Sequence, residues 1–525
     1  MIASPIGTKH DLVTMLKQKL HWMTRAGRAT GTGCALTAGS HWRRLLVRDV
    51  LPHSAALLLA TALSASLLAA SPTHGAHAAA PAPTPEGGQQ QPGQAAQSDL
   101  PTASSAPNTP PVYENWAVHG QTTVTEFYQP AFRSPYRGPQ SLDPGSRGRE
   151  TWDVTLYGGV RPWRGAELWA NPEVDQGFGP SNTFGAAGYP TAEAYKLGSG
   201  APYVRLQRLF LRQTIDLGGE SQAIAPDLNQ LGGAQTANRV VVTLGKFSSF
   251  DVFDTNKFAH DTRNDFLNWS LIDAGSFDQA GDAWGYTYGA AAEWYQDWWT
   301  IRGGIFDLPT YPAYKYLDTR FGHQLQYISE FEERHTLFGQ AGKVKVSGFY
   351  THGLLGSFSQ AVALGQATGT RPDIQAVRRI RGKGGASINV EQSITDDLGL
   401  FFRAGLADGT SSITSYTDID NTVSVGLSLA GKRWNRPDDT VGIGVASNGI
   451  SRHYKDYLKA GGLGILIGDG QLPNSGRETA VEAFYNYTVV KGINVTADYQ
   501  FLNNPAYNRD RGPVSFLGLR LHGQF

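Results

Sequence analysis

After residue 78, no stretch of this 525-residue chain stays apolar for the roughly 20 residues that a membrane-spanning helix needs, yet segment after segment alternates apolar and polar residues. In "INVTADYQF", Ile493, Val495, Ala497, Tyr499 and Phe501 form one row and Asn494, Thr496, Asp498 and Gln500 the other. The terminal "SFLGLRLHGQF" repeats the pattern, with Leu517, Leu519, Leu521 and Phe525 on one side and Arg520, His522 and Gln524 on the other. Successive side chains of a strand point to opposite faces, so each segment has one wet face and one dry face. In "YTYGAAAEWYQ" the dry row starts at Tyr286 and Tyr288, passes Ala290 and Ala292 and ends at Trp294, which puts rings at both edges of an apolar band. Such girdles are expected where strands cross the two lipid interfaces. A chain that crosses lipid without helices must pair every backbone group, and a closed barrel does so.

Alternating segments number roughly sixteen, near residues 115, 151, 166, 204, 239, 286, 299, 324, 343, 382, 398, 422, 440, 479, 493 and 513, and an even count returns the chain to its starting side. Connection lengths alternate as well. "RPWRG", "QDW", "ITDD" and "VKG" are short, whereas 129–150, 173–202, 247–285, 352–380 and 448–477 are long. One connection departs from the rule: "GGESQAIAPDLNQLGGAQTAN", 218–238, is long on the short-turn side, so it is either an insertion or a slip in the count. A soluble sandwich would also alternate, but with its polar face outward and with little use for aromatic edges or a terminal Phe. The expected fold is all-β, a transmembrane antiparallel β-barrel of about 16 strands over 112–525.

The front of the chain reads differently. "SAALLLATALSASLLAA", Ser54 to Ala70, follows Arg43, Arg44 and Arg48 and precedes Ala76-His77-Ala78, the layout of an export signal with a small-residue cleavage site. Its 17 apolar or small residues are short for a membrane span, so 1–78 is read as leader and signal peptide, with Met23 an alternative start. Residues 79–111 are a Pro, Gln, Ala and Ser mixture that cannot bury enough surface to offset its ordering entropy, and a disordered tether is expected there. Cys34 is the sole cysteine and lies in the leader, which excludes an internal disulfide. Lys plus Arg and Asp plus Glu each number 45, so no net field selects nucleic acid as a partner.

The segments "RPWRGAELWANPEVDQGFG", "NDFLNWSLIDAGSFD", "GYTYGAAAEW" and "DYQFLNNPAYNRDRGPVSFLGLRLHGQF" resemble, in family order, the carbohydrate-selective porins of Gram-negative bacteria, the OprB-type glucose porins. The resemblance runs from about Val112 to Phe525. It implies a sixteen-stranded channel in the Gram-negative outer membrane for passive diffusion of glucose and similar sugars into the periplasm. Small sugars, outer-membrane lipid and the barrel-assembly machinery are the implied partners, and a homotrimer is compatible with it.

On that reading, "GAELWANPEVDQG" leaves a short turn with Ala166, Leu168 and Ala170 outward and Glu167, Trp169, Asn171 and Glu173 toward the lumen. A sugar offers rim hydroxyls and weakly polarised C–H faces, so carboxylates and an amide beside an aromatic plane suit it. Alternatively, Trp169 is an interface ring in an ordinary polar lumen. Arg212, Arg302, Arg403 and Arg520 sit on alternating rows and should face inward, where Arg302 and Arg403 balance Glu167 and Glu173 across the pore or each Arg pairs locally and stiffens the wall. Phe247 to Asp282 is too apolar to remain in water and is expected to fold into the barrel, with Arg263, Asn268, Trp269 and Asp273 at the constriction.

Catalytic signatures are lacking. The chain has no HExxH, GxSxG, GxxxxGK[ST] or His/Cys metal spacing, so no catalytic residue, metal or cofactor is expected. The alternatives are a general or anion-selective porin, a lipase-like barrel enzyme, and an adhesin with a blocked lumen.

Overall fold

The computed structural model describes residues 112–194, 198–415 and 417–525; the leader and tether read over 1–111 lie outside the described residues. Sixteen strands follow one another as β1 (Trp116–Gln129), β2 (Arg147–Val160), β3 (Ala166–Gly177), β4 (Ser199–Ile224), β5 (Gly233–Phe247), β6 (Thr287–Gln296), β7 (Trp299–Asp307) and β8 (Leu325–Leu337), then β9 (Gln340–Gly356), β10 (Arg378–Ser393), β11 (Leu398–Ala407), β12 (Asn421–Ala430), β13 (Thr440–Gly449), β14 (Glu478–Val490), β15 (Ile493–Asn503) and β16 (Val514–Gln524). Each pairs antiparallel with its sequence neighbours, and β1 closes on β16 with Val124 opposite Leu521. Every expected segment position falls within a strand or one residue ahead of it.

Alternation sorts the residues as lipid requires. Leu517 and Leu519 are exposed outside while Arg520 and His522 are buried inside, and on β15 Tyr499 faces out while Thr496, Asp498 and Gln500 face in. Exposed rings form two belts: Trp116, Trp163, Trp294 and Trp298 at the short-turn end, and Tyr128, Tyr288, Tyr327 and Tyr350 toward the long loops. Tyr286 leaves the expected outer row. The strand begins at Thr287, so alternation does not reach it, and its ring instead lies 5.0 Å from the Arg208 guanidinium.

The count does not slip at 218–238. β4 and β5 continue past the barrel rim as a hairpin, still paired at Ile224 and Gly233, after a register shift between Asp216 and Ser221. At the long-loop end, three helices lie among the connections: α1 (Trp269–Ile272), α2 (Phe358–Thr368) and α3 (Arg452–Lys459). α2 and α3 meet through Phe358 stacked on Tyr454 at 4.2 Å.

The seam is finished by the last residue. Gly120 N donates to Phe525 O at 3.1 Å and Phe525 N to Gly120 O at 2.9 Å. The Phe525 ring lies over Gly120, where a Cβ would come within 2.6 Å of it. Deleting Phe525 removes two bonds worth about 1 kcal/mol each, and more where lipid cannot replace them. The expected outcome is a lower yield of heat-modifiable barrel on gel electrophoresis of membrane fractions, and Gly120→Leu, which displaces the ring, should reproduce part of the loss.

Candidate functional site

The connection from β5 to β6 does not stay outside. Phe250, Phe253, Phe266, Leu267, Trp269, Leu271 and Phe277 within it are buried. Phe266 packs edge-on against inward Phe401 of β11 and Phe484 of β14, at 5.3 and 5.0 Å, and Phe277 meets Phe349 of β9 at 4.7 Å. Polar wall residues hold the loop by its main chain. Arg403 donates to the carbonyls of Leu271 at 2.9 Å and Ala259 at 2.8 Å, and pairs with Asp254 at 3.3 Å, both side chains being fully buried. Glu482 accepts from the amide N–H of Leu267 at 2.5 Å and of Asn268 at 2.8 Å. Asp278 of the loop accepts from the amides of Thr414 and Ser415. Arg520 donates to the carbonyls of Thr262 and Asp265.

The loop thereby packs against β9 to β16 and leaves a small slot between itself and β1, β2 and β4. The slot is lined by Gln121, Tyr157 and Arg208 of the wall, Gln524 of β16, and Asp251, Asp261 and Arg263 of the loop. Arg208 grips Asp251 with both ends of its fork, Nε at 2.7 Å and Nη2 at 2.6 Å. Arg263 lies 3.5 Å from both Asp153 and Glu193. Arg205 pairs with Asp282 at 3.0 Å beneath the Trp284 ring, 3.4 Å from its centroid.

The β3 row has the inward phase: Trp169, Asn171 and Glu173 are buried and Leu168 and Pro172 are exposed. Ala166, placed outward from the sequence, is buried at the rim. Glu167 joins Trp169 Nε1 at 3.0 Å and Arg212 Nη2 at 2.6 Å. The Trp169 ring covers Gly159, with a Cβ there 2.5 Å from it, and stacks near His119, so it is part of the wall and presents no free face. Glu173 accepts from Thr155 at 2.6 Å and Gln207 at 2.7 Å. The balance expected between these acids and Arg302 or Arg403 across the pore is not formed. Arg302 instead contacts Glu293, Glu330 and Glu332 of its flanking strands at 2.8 to 2.9 Å, because those carboxylates already face it on the inner surface. Of the four loop residues, Arg263 lines the slot. Asn268 caps α1 and bonds Gln500, Trp269 stacks on Tyr189 of the β3–β4 connection, and Asp273 holds His260 at 2.9 Å.

Arg205 escapes a period-two reading anchored on Arg212, which already puts Arg208 inward. Arg205 and Arg208 are three residues apart, and both turn inward because the register shifts between Asn171 and Pro172, leaving Gln207 as an extra residue. Pro172, which has no N–H to give the ladder, is the signal that marks the bulge. Among the described residues no group of three or more His, Cys, Asp or Glu is placed to hold a metal ion.

A family model described as carbohydrate-selective porin, OprB family, matches residues 140–525, well over half of the chain. The chain belongs to the OprB family. The high-pH structure of Pseudomonas putida OprB is similar with a TM-score of 0.60 and 15% identity, covering 78% of this chain and 94% of that one. The low-pH structure of Pseudomonas putida OprB gives a TM-score of 0.43 and 12% identity over 78% and 93% of the two chains. The outer-membrane channel DcaP of Acinetobacter baumannii gives 0.43 and 11% over 78% and 97%. No curated protein sequence matches.

As an OprB porin, the chain is a carbohydrate-selective outer-membrane channel, and its free cross-section is set by how firmly the loop is held. Removing one partner of a buried ion pair leaves the other uncompensated, at about 3–5 kcal/mol. Arg403→Met should therefore loosen the loop, raise single-channel conductance in KCl and expose the loop to proteolysis. Adding Asp254→Asn should recover part of the parent behaviour, since the orphaned charge is then gone.

Proposed function

We propose that the slot between the loop and the wall of β1, β2 and β4 is the route of neutral monosaccharides of the glucose type, with the short-turn end facing the periplasm of a Gram-negative cell. The supporting observation is the composition of the slot. Arg208 with Asp251, and Arg263 with Asp153 and Glu193, set two guanidinium groups against three carboxylates beside Tyr157. Paired guanidinium and carboxylate groups offer a passing hydroxyl both donors and acceptors. The ring of Tyr157 bounds the same space with apolar surface, and the Tyr286 ring lies 5.0 Å from the Arg208 guanidinium. The aromatic belts set the barrel in outer-membrane lipid, and the β16 strand ending in Phe525 is the element the assembly machinery would engage.

Planar-bilayer recordings test the reading. Glucose at millimolar levels should interrupt the ion current and phosphate should not; interruption by phosphate together with a strong anion preference would replace this reading with an anion porin. The double change Arg208→Gln with Asp251→Asn removes one paired site without altering net charge. Loss of about 1.4 kcal/mol of contact is a tenfold change, so glucose block should weaken by about that factor while reversal potentials in a salt gradient stay near the parent's.

A further inference from the structure

The hairpin that β4 and β5 form beyond the rim does not extend away from the barrel. Its ladder is broken between Asp216 and Ser221, where Gly218 and Gly219 adopt φ of 107° and 90°, a region that other residues enter at a cost. Past this bend its tip, residues 225–232, returns to the barrel. Leu228, Asn229 and Leu231 are buried. Leu228 and Asn229 line the slot together with Asp261 and Arg263 of the constricting loop, so an element from the short-turn end and one from the long-loop end share a cavity.

The tip is a small unit bonded to itself. Asp227 and Gln230 exchange two backbone hydrogen bonds at 3.0 Å, and Gln230 Nε2 donates to Ala225 O at 2.8 Å. Its seat is polar and lies along the ends of β1 to β4. Gly232 N donates to Glu114 Oε2 at 2.8 Å, Glu114 N donates to Gly232 O at 3.1 Å, and Arg161 Nη2 donates to the same carbonyl at 3.0 Å. Arg212 donates to Asn229 O, and Leu231 N lies 3.5 Å from Glu167. Burial pushes the Asp227 carboxyl up to about 6, and Asp261 across the cavity adds to the shift.

We propose that residues 225–232 are a gate on the short-turn side of the channel, a preformed plug that swings on the Gly218–Gly219 bend and is latched by Glu114 and Arg161. A bulge between two paired stretches is a hinge by construction, because the ladder on either side moves as a body while the unpaired residues absorb the rotation. The latch is two hydrogen bonds to charged side chains and one backbone bond at a wet rim, few enough for brief opening. The turns at 297–298, 338–339 and 491–492 are too short to cross the same mouth.

The inference needs the barrel to conduct ions and does not need sugar to be the solute, so the two are read apart: KCl conductance reports the gate, and block by glucose reports the solute. In one variant residues 221–236 are replaced by Asn-Gly, a turn that closes two antiparallel strands. In the other, Glu114→Ala with Arg161→Ala leaves the hairpin and removes the side-chain bonds of the latch. The full-length parent should show a low, flickering conductance. The shortened barrel should conduct at least threefold more, without closures, and the latch variant should reach the same level in bursts. A shortened variant that keeps heat-modifiable mobility yet conducts at the parent level would overturn the gate. If shortening prevents folding, a latch variant indistinguishable from the parent does the same.

Discussion

Everything in this molecule follows from the demand that a backbone in hydrocarbon leave no amide or carbonyl unpaired. Sixteen strands meet it by closing on themselves, and Phe525 completes the closure with the final two bonds to Gly120. Closure fixes the phase of every strand, and the phase decides which side chains are turned inward. Because the outer face must be apolar, the polar half of each strand is confined to the interior, where it needs partners.

The β5–β6 connection supplies many of them. Its backbone carbonyls serve Arg403 and Arg520, its amides serve Glu482, and its phenyl rings cover Phe349, Phe401 and Phe484. The loop narrows the channel and satisfies the wall by the same contacts. Arg302 shows the other solution, a guanidinium held by three carboxylates of its neighbours with no help from the loop. On the side of β1, β2 and β4 the loop meets the wall through ion pairs, and the slot lies among them with Leu228 and Asn229 of the tip in its lining.

Strand positions, the inward phase of Trp169, Asn171 and Glu173, and the entry of the loop were legible in the sequence because each rests on a local pattern: period two, or an apolar run with nowhere else to go. Which inward charge meets which was not legible. Arg302 and Arg403 look alike along the chain, yet one pairs with flanking strands and the other grips a loop distant in sequence, a difference set by register and closure. Arg205 was hidden by a bulge, since one extra residue reverses the phase of everything beyond it. Trp169 had the right phase, but its cover over Gly159 depends on a neighbour's missing side chain, which period-two reading does not weigh.

The anchors hold the loops chiefly by main-chain atoms. Glu482 receives the amides of Leu267 and Asn268, Glu478 receives those of Ala187, Gly188 and Ala506, Asp278 receives those of Thr414 and Ser415, and Arg403 addresses carbonyls. A peptide group is common to every residue, so such a clasp is indifferent to the side chains of the segment it holds. The path of the loop is thereby uncoupled from the chemistry it displays. Residues facing the passage can be exchanged one at a time while the aperture keeps its outline, which makes this barrel a frame on which solute preference can drift without refolding.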